Sequence, residues 1–188
     1  MKSGKTVTLV LGGVRSGKSR YAQELASAGR QVAFIATARR SDHEMRSRIA
    51  HHRRERPGAW KTLEVPTGLD RALRERCRDA DLVLIDCLTY YLANVMGHKR
   101  VAQPGIAGHM QDVCAALSEV KASVVIVSNE VGSGVVPSYR SGREYRDLLG
   151  EFNQRVAQIA DRVILMVAGL PVIIKDRSTG RRSAAGKR

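Results

Sequence analysis

A segment near the amino terminus has the pattern Gly-x-x-x-x-Gly-Lys-Ser, which is typical of a phosphate-binding loop. Its residues are Gly12, Gly13, Val14, Arg15, Ser16, Gly17, Lys18 and Ser19. An apolar run over 7–11 precedes the loop, and a helical pattern over 19–28 follows it. Because the motif requires a strand before the loop and a helix after it, this context strengthens the match. The chain is therefore expected to build an α/β fold around a bound phosphate.

The loop also indicates how a nucleoside triphosphate would be held. Its glycines allow backbone N–H groups to turn towards phosphate oxygens, and the dipole of the following helix favours negative charge there. Lys18 is expected to reach the β- and γ-phosphates, and Ser19 is expected to bind Mg²⁺. The alternative is a glycine-rich turn that contains lysine and serine by coincidence. The loop alone leaves open which reaction the nucleotide serves.

Apolar runs alternate with helical patterns along the rest of the chain, which predicts a mainly parallel sheet with right-handed crossovers. Strands are predicted at 6–11, 31–36, 60–65, 81–87 and 123–128, and helices at 19–28, 41–56, 69–78, 88–96, 110–122 and 144–160. The segment 97–108 contains glycine and proline and is predicted to be a loop. Two last strands, 162–168 and 170–175, are expected to pair as an edge hairpin. The expected fold is a P-loop (RecA-like) three-layer sandwich.

The predicted strand at 81–87 is apolar and carries an acid, Asp86, near its end. This is the Walker B pattern, in which a buried strand delivers a carboxylate beside the phosphate loop to order Mg²⁺ and its waters. The alternative is an acid that caps the following helix. With a phosphate loop upstream, we interpret Asp86 as a metal ligand.

A helix is predicted over 41–56 because Ser41 and Glu44 form a capping box. In this helix His51 falls on a charged face and His52 on an apolar face, about 100° apart. A neutral imidazole is a good nucleophile near neutral pH, and neighbouring arginines would stabilise charge on a phosphorus atom under attack. One hypothesis is that His51 attacks the α-phosphate of a nucleotide and displaces pyrophosphate. The alternative is a solvent-exposed histidine with no chemical role.

The composition limits the partners and the compartment. The formal net charge is +14, which admits nucleic acid or polyphosphate as a partner. Only 4% of the residues are aromatic, so no nucleic-acid partner is expected.

Three sequence features predict a cytoplasmic protein with no membrane span. They are the cysteine spacing, the absence of a signal-peptide pattern and the absence of a long apolar run. One catalytic domain is expected over 1–175, with a basic, disordered tail over 176–188.

Further motifs follow the phosphate loop in order along the chain. They are Ile35-Ala36-Thr37, Asp42-His43-Glu44-Met45, Arg48-Ile49-Ala50-His51-His52, Asp86-Cys87-Leu88-Thr89, the run 128–137 and Asn153-Gln154. Together with the loop they resemble the bifunctional adenosylcobinamide kinase / adenosylcobinamide-phosphate guanylyltransferase family of cobalamin biosynthesis. The resemblance covers residues 7–175. A phosphate loop alone would not discriminate between families, but its combination with the paired histidines and Asn129-Glu130-Val131-Gly132 does.

The resemblance implies two reactions. ATP or GTP first phosphorylates the aminopropanol hydroxyl of adenosylcobinamide. GTP then guanylylates a histidine, which matches His51, and GMP passes to the phosphorylated cobinamide to give adenosyl-GDP-cobinamide. The resemblance also implies nucleotide contacts for Ala36, Thr37, Ala38, His52, Arg53, Arg54, Glu55, Glu64 and Asp86. The phosphate-loop and Walker B patterns indicate Mg²⁺ as cofactor, held by Ser19 and Asp86. The resemblance further implies a homo-oligomer such as a compact trimer.

Two other functions stay open. A plain P-loop kinase for a small alcohol or nucleotide would use the loop and Asp86 but leave His51 unmodified. A nucleic-acid-binding P-loop protein is suggested only by the charge. Covalent labelling by GTP separates the first from a guanylyltransferase, and salt-dependent duplex binding would identify the second.

Overall fold

The computed structural model describes residues 4–39, 43, 46, 56–97 and 103–177. Within these ranges the chain forms a seven-stranded sheet with helices on both faces. The strands are β1 (Val7–Gly12), β2 (Val32–Ala36), β3 (Lys61–Glu64), β4 (Leu82–Asp86), β5 (Ser123–Val127), β6 (Arg162–Val167) and β7 (Leu170–Asp176). The helices are α1 (Lys18–Ala26), α2 (Leu69–Arg76), α3 (Leu88–Met96), α4 (Gln103–Glu119) and α5 (Arg140–Ile159).

The strand order is β3-β2-β4-β5-β1-β6-β7, and every neighbouring pair is parallel except β6 with β7. Parallel strands buried on both faces lack polar alternation, which explains the nearly continuous apolar runs in the sequence. The predicted α/β P-loop fold, its mainly parallel sheet and its C-terminal hairpin are confirmed. Strand β5 separates β1, which leads into the phosphate loop, from β4, which ends in Asp86.

Two apolar layers cover the sheet. In β4, for example, Val83 and Ile85 face α2, α3, α4 and α5, whereas Leu82 and Leu84 face α1. This follows from the period of two residues in a strand, which sends successive side chains to opposite faces. The described part of the chain is thus a three-layer sandwich.

The structure corrects the predicted loop at 97–108, because α4 begins at Gln103 instead of 110. Proline is compatible with the first turn of a helix, where its missing N–H has no intrahelical partner in any case, so Pro104 does not stop α4. Ile106 and Met110 are buried in the same apolar cluster as Val83 and Ile85 and give this first part of the helix an apolar face. Tertiary packing therefore outweighs the loop-like composition.

Helix α5 also begins earlier than predicted, at Arg140 instead of 144. Gly142 is buried in its first turn, where a Cβ atom would lie 2.6 Å from the Tyr139 ring and 2.8 Å from Pro137. Close packing therefore requires a glycine at this position. Most of the predicted helix at 41–56 lies outside the described residues, although positions 43 and 46 are helical.

The hairpin turns at Ala168 and Gly169, whose φ angles of 50° and 84° are those of a type I′ turn. An ion pair between Arg162 and Asp176, at 3.2 Å, links β6 to β7 at the far end. Strand β7 ends at Asp176. No helix among the described residues is long and apolar enough to cross a bilayer.

Candidate functional site

The phosphate loop connects the end of β1 to the start of α1. Gly17 is the N-cap of α1 and has a φ of 89°, a left-handed conformation that glycine adopts without steric cost. In the described part of the chain, no side chain caps α1 and no acid lies in its first turn. The first N–H groups of α1 and the positive end of its dipole are therefore presented to an anion.

Two side chains of the loop suit phosphate binding. Ser16 Oγ is buried and has no hydrogen-bond partner among the described residues, which suits a donor that a phosphate oxygen would satisfy. Lys18 Nζ donates to the Gly13 carbonyl at 2.7 Å, across the loop. An ammonium group held in this place can transfer its hydrogen bonds to a phosphate.

Lys18 also interacts with the end of β4. Burial lowers the pKa of Lys18, whereas Cys87, when ionised, and Asp86 both act to raise that pKa. Because burial raises the pKa of the Cys87 thiol to about 12, that thiol is uncharged at neutral pH. Asp86 is therefore the charge that acts on Lys18, and the Walker B acid lies within electrostatic reach of the phosphate loop.

The sheet register places several predicted site residues in one row. Ala36 at the end of β2 lies opposite Glu64 of β3 and Asp86 of β4. Asp86 in turn lies opposite Val127 of β5, which pairs with β1. Two strand spacings put Asp86 about 10 Å from β1, which leaves room for phosphate groups and a metal ion. The loop, Ala36, Glu64 and Asp86 therefore share the carboxyl edge of the sheet.

The donors at this edge fit Mg²⁺ bound together with a nucleotide. Mg²⁺ keeps several waters and usually takes one or two protein oxygens, with phosphates completing its shell. Ser19 supplies a hydroxyl from the first turn of α1, and Asp86 supplies a carboxylate. No group of three or more His, Cys, Asp or Glu residues that could hold a metal alone is present among the residues described. The pair suits an ion that arrives with the nucleotide.

A second set of hydrogen bonds fixes the chain after β5. The Asn129 N–H donates to Thr89 Oγ1 at 3.0 Å, and Asn153 Nδ2 donates to the Asn129 carbonyl at 3.0 Å. The Glu130 N–H donates to the Gly12 carbonyl at 3.1 Å, beside the phosphate loop. The backbone of Asn129 and Glu130 is thereby held between α3, α5 and β1.

Residues 8–174 match the family described as Cobinamide kinase / cobinamide phosphate guanyltransferase. The chain belongs to this family. It is 42% identical over 168 residues to the bifunctional adenosylcobalamin biosynthesis protein CobP of Pseudomonas aeruginosa. That match covers 89% of this chain and 96% of the relative. It is 39% and 40% identical, each over 178 residues, to the proteins named CobU of Escherichia coli and Salmonella typhimurium. Those matches cover 89% of this chain and 98% of each relative.

Membership in this transferase family confirms the resemblance seen in the sequence. His51 falls within the matched range, but the histidine and the residues that follow it, His52, Arg53, Arg54 and Glu55, lie outside the described residues. Ala38 is half-buried just after β2, whereas the Thr37 side chain is fully buried and hydrogen-bonded to Cys87. The Thr37 hydroxyl therefore faces the protein interior.

Sequence reasoning missed two features of the site. Asn94 of α3, which hydrogen-bonds to the residues following β2 and β3, was not singled out. The sequence did offer one indication of its role. Asn94 is a polar amide among the apolar residues Tyr91, Leu92 and Val95, which are buried on this helix. The second is the β6–β7 turn, where the Gly169 N–H donates to the Ser16 carbonyl at 3.1 Å. Nothing in the local sequence indicates that the hairpin reaches the phosphate loop.

Replacement of Gly17 with alanine is expected to destabilise the protein by about 1–2 kcal/mol and to weaken nucleotide binding. Alanine is strained at a φ of 89°, and its Cβ atom would lie 3.3 Å from Gly169 Cα. Thermal unfolding and titration with a fluorescent GDP analogue would measure the two effects. Gly13→Ala is the matched control for stability, since a Cβ there meets nothing within 4 Å. Equal melting temperatures for the two variants would contradict this account of the loop.

Proposed function

We propose that the chain phosphorylates adenosylcobinamide with ATP or GTP and then transfers GMP from GTP to the product through a guanylylated histidine. The observation that carries this proposal is the phosphate loop facing Asp86 in a chain whose family-matched range also contains His51. The relatives are named as bifunctional proteins of adenosylcobalamin biosynthesis, which supports assigning both activities.

In the kinase reaction, the aminopropanol oxygen attacks the γ-phosphorus and the bond to the β,γ-bridging oxygen breaks. The nucleoside diphosphate leaves, and the hydroxyl proton passes to solvent. The loop N–H groups and Lys18 stabilise the charge that develops on the phosphoryl oxygens. Mg²⁺, when bound, neutralises charge on the β- and γ-phosphates. Ser19 and Asp86 would orient that ion and its waters.

In the guanylyl transfer, a ring nitrogen of His51 attacks the α-phosphorus of GTP and pyrophosphate leaves. The phosphate oxygen of the cobinamide phosphate then attacks the same phosphorus, and the N–P bond breaks to regenerate the histidine. Arginines on the same segment would stabilise the negative charge in both steps. We propose that the remaining nucleotide contacts come from Ala36, Ala38, Glu64 and residues 52–55, as the resemblance implies.

The proposal is tested by supplying purified protein with adenosylcobinamide and nucleotides labelled at the γ- or the α-phosphate. Label from the γ-position is expected in adenosylcobinamide phosphate, and label from [α-³²P]GTP is expected in adenosyl-GDP-cobinamide. A plain kinase would transfer only the γ-label. Failure to transfer either label would refute the proposed function.

We propose that the protein is a homo-oligomer, a trimer as the resemblance implies, and that strand β7 contributes to the interface. In the described chain β7 is an edge strand, and its apolar side chains are exposed. Their exposed fractions are 69% for Leu170, 46% for Val172, 58% for Ile173 and 61% for Ile174. A long apolar edge strand favours association with another chain.

Ile173→Lys is expected to shift the protein towards a smaller species in sedimentation velocity, because the substitution puts a charge in the proposed interface. Val135→Lys is the matched control, since Val135 is also an exposed apolar residue, at 95%, but lies outside β7. A wild-type protein that sediments as a monomer would contradict the proposed oligomer. An unchanged distribution for Ile173→Lys would contradict the role of β7.

We also propose a cytoplasmic location, with residues 1–175 as a single catalytic domain. Cys77, Cys87 and Cys114 are all free, as is usual for cysteines in a reducing compartment. The continuous sheet, which ends with the C-terminal hairpin beside β1, supports the single domain.

A further inference from the structure

Thr37 forms an internal link between the ends of β2 and β4. Its hydroxyl donates to the Cys87 carbonyl at 2.6 Å and accepts from the Cys87 N–H at 2.8 Å. Its own N–H donates to the Asp86 carbonyl at 3.1 Å. The residue has no exposed surface, so water cannot replace these bonds. Both polar groups of the Asp86–Cys87 peptide, and the Cys87 carbonyl that follows it, are thus hydrogen-bonded to one threonine.

Asn94 of α3 hydrogen-bonds to the backbone of Thr37. Its Nδ2 group donates one hydrogen to the Thr37 carbonyl at 2.7 Å and one to the Pro66 carbonyl at 3.1 Å. Both hydrogens of the amide are therefore used, one at the end of β2 and one after β3. With Thr37, this amide connects three strand ends at the edge where Asp86 and Glu64 lie.

The linked position is also where the chain departs towards His51. Beyond Thr37 the chain leaves the sheet and enters the segment predicted to form the helix at 41–56. At the far end of that segment, the Arg56 guanidinium lies 3.7 Å from the centre of the Phe34 ring of β2. The described residues on either side of the histidine segment, Thr37 and Arg56, therefore both contact or directly follow β2. Thr37 also hydrogen-bonds to the Asp86 carbonyl at the end of β4.

We propose that Thr37 and Asn94 are positioning residues. Their hydrogen bonds fix the end of β4, which carries Asp86, relative to the end of β2, from which the chain continues towards His51. The inference rests on the proposed function, because it assigns Asp86 to the nucleotide-bound Mg²⁺. It gives Thr37 a different part from the nucleotide contact implied by the resemblance. The threonine acts through the backbone of β4, and Asn94 keeps the threonine in place.

The test compares Thr37→Val, which keeps the shape but removes the hydroxyl, with Thr37→Ser, which keeps the hydroxyl. The measured quantity is the affinity for a fluorescent GDP analogue with and without Mg²⁺. In Thr37→Val the gain in affinity due to Mg²⁺ is expected to fall about tenfold, because residues that orient a metal ligand typically affect metal affinity by 10–100-fold. The affinity measured without Mg²⁺ depends mainly on the phosphate loop and is expected to fall by less than the Mg²⁺ gain does. Thr37→Ser is expected to restore most of the Mg²⁺ gain.

If Thr37→Val folds poorly, Asn94→Ser serves for the same measurement, because Asn94 is only half-buried. The gain in analogue affinity due to Mg²⁺ is expected to fall in this variant as well. A lower melting temperature with an unchanged Mg²⁺ gain in either variant would show a merely structural role and overturn the inference. A wild-type protein that binds the analogue without any gain from Mg²⁺ would overturn it as well. Absence of a GMP adduct in the wild type would refute the proposed guanylyl transfer but leave this metal-binding result standing, so the two failures are distinguishable.

Discussion

Replacement of Lys18 with methionine is expected to lower phosphoryl transfer to adenosylcobinamide by about 10²–10³-fold, or about 2.7–4 kcal/mol of transition-state stabilisation. Methionine has a similar length but no positive charge and no donors. In the structure the ammonium group spans the loop to Gly13 and interacts with Asp86, so its loss removes a positive charge from the loop where phosphate is expected to bind. Guanylyl transfer is expected to fall as well, because the same group would hold the pyrophosphate that leaves. Initial rates of transfer from γ- and α-labelled nucleotides measure both effects.

Arg20→Met is the matched control for the Lys18 variant. Arg20 lies on the same helix, is exposed, and forms a long ion pair with Glu24 at 3.9 Å. Because exposed pairs contribute little, the control is expected to keep activity within about twofold of the wild type. Equal rates for Lys18→Met and the wild type would contradict the assignment of residues 12–19 as the catalytic phosphate loop.

Replacement of His51 with alanine is expected to abolish guanylyl transfer while leaving phosphorylation of adenosylcobinamide within about tenfold of the wild type. Removal of a covalent nucleophile eliminates the intermediate itself, whereas the kinase step depends on the loop and Asp86. The separation is measured in one preparation by following the γ- and α-labels. His52→Ala is the neighbouring control and is expected to retain the adduct. Loss of both activities in His51→Ala, with the protein folded, would contradict separate roles.

The parts of this structure that depend on local pattern could be predicted from the sequence. The phosphate loop requires a strand, glycines and a helix in close succession, and β1, Gly17 and α1 meet that requirement. Asp86 was predicted for the same reason, since an acid at the end of a buried parallel strand has to emerge at the carboxyl edge of the sheet. The hairpin was indicated by Gly169, which has the positive φ that its turn requires.

The parts that depend on distant contacts could not be predicted in this way. The start of α4 is stabilised by burial of Ile106 and Met110, which no local rule could weigh against Pro104 and its neighbouring glycines. Asn94 and Thr37 are 57 positions apart, and their hydrogen bond exists only because the parallel strand order brings β2 beside β4. The resemblance indicated that Thr37 belongs to the site, but only the geometry shows that its hydroxyl bonds to the β4 end.

We expect one chain to hold both the phosphate loop and the histidine that carries GMP. The most direct measurement is incubation of wild type and His51→Ala with [α-³²P]GTP and Mg²⁺, followed by denaturation and treatment with acid or alkali. The wild type is expected to carry a covalent label that survives alkali and is lost in acid, as a phosphoramidate should be, whereas His51→Ala is expected to carry none. A label that persists on His51→Ala, or a wild-type protein that takes up none, would contradict this expectation.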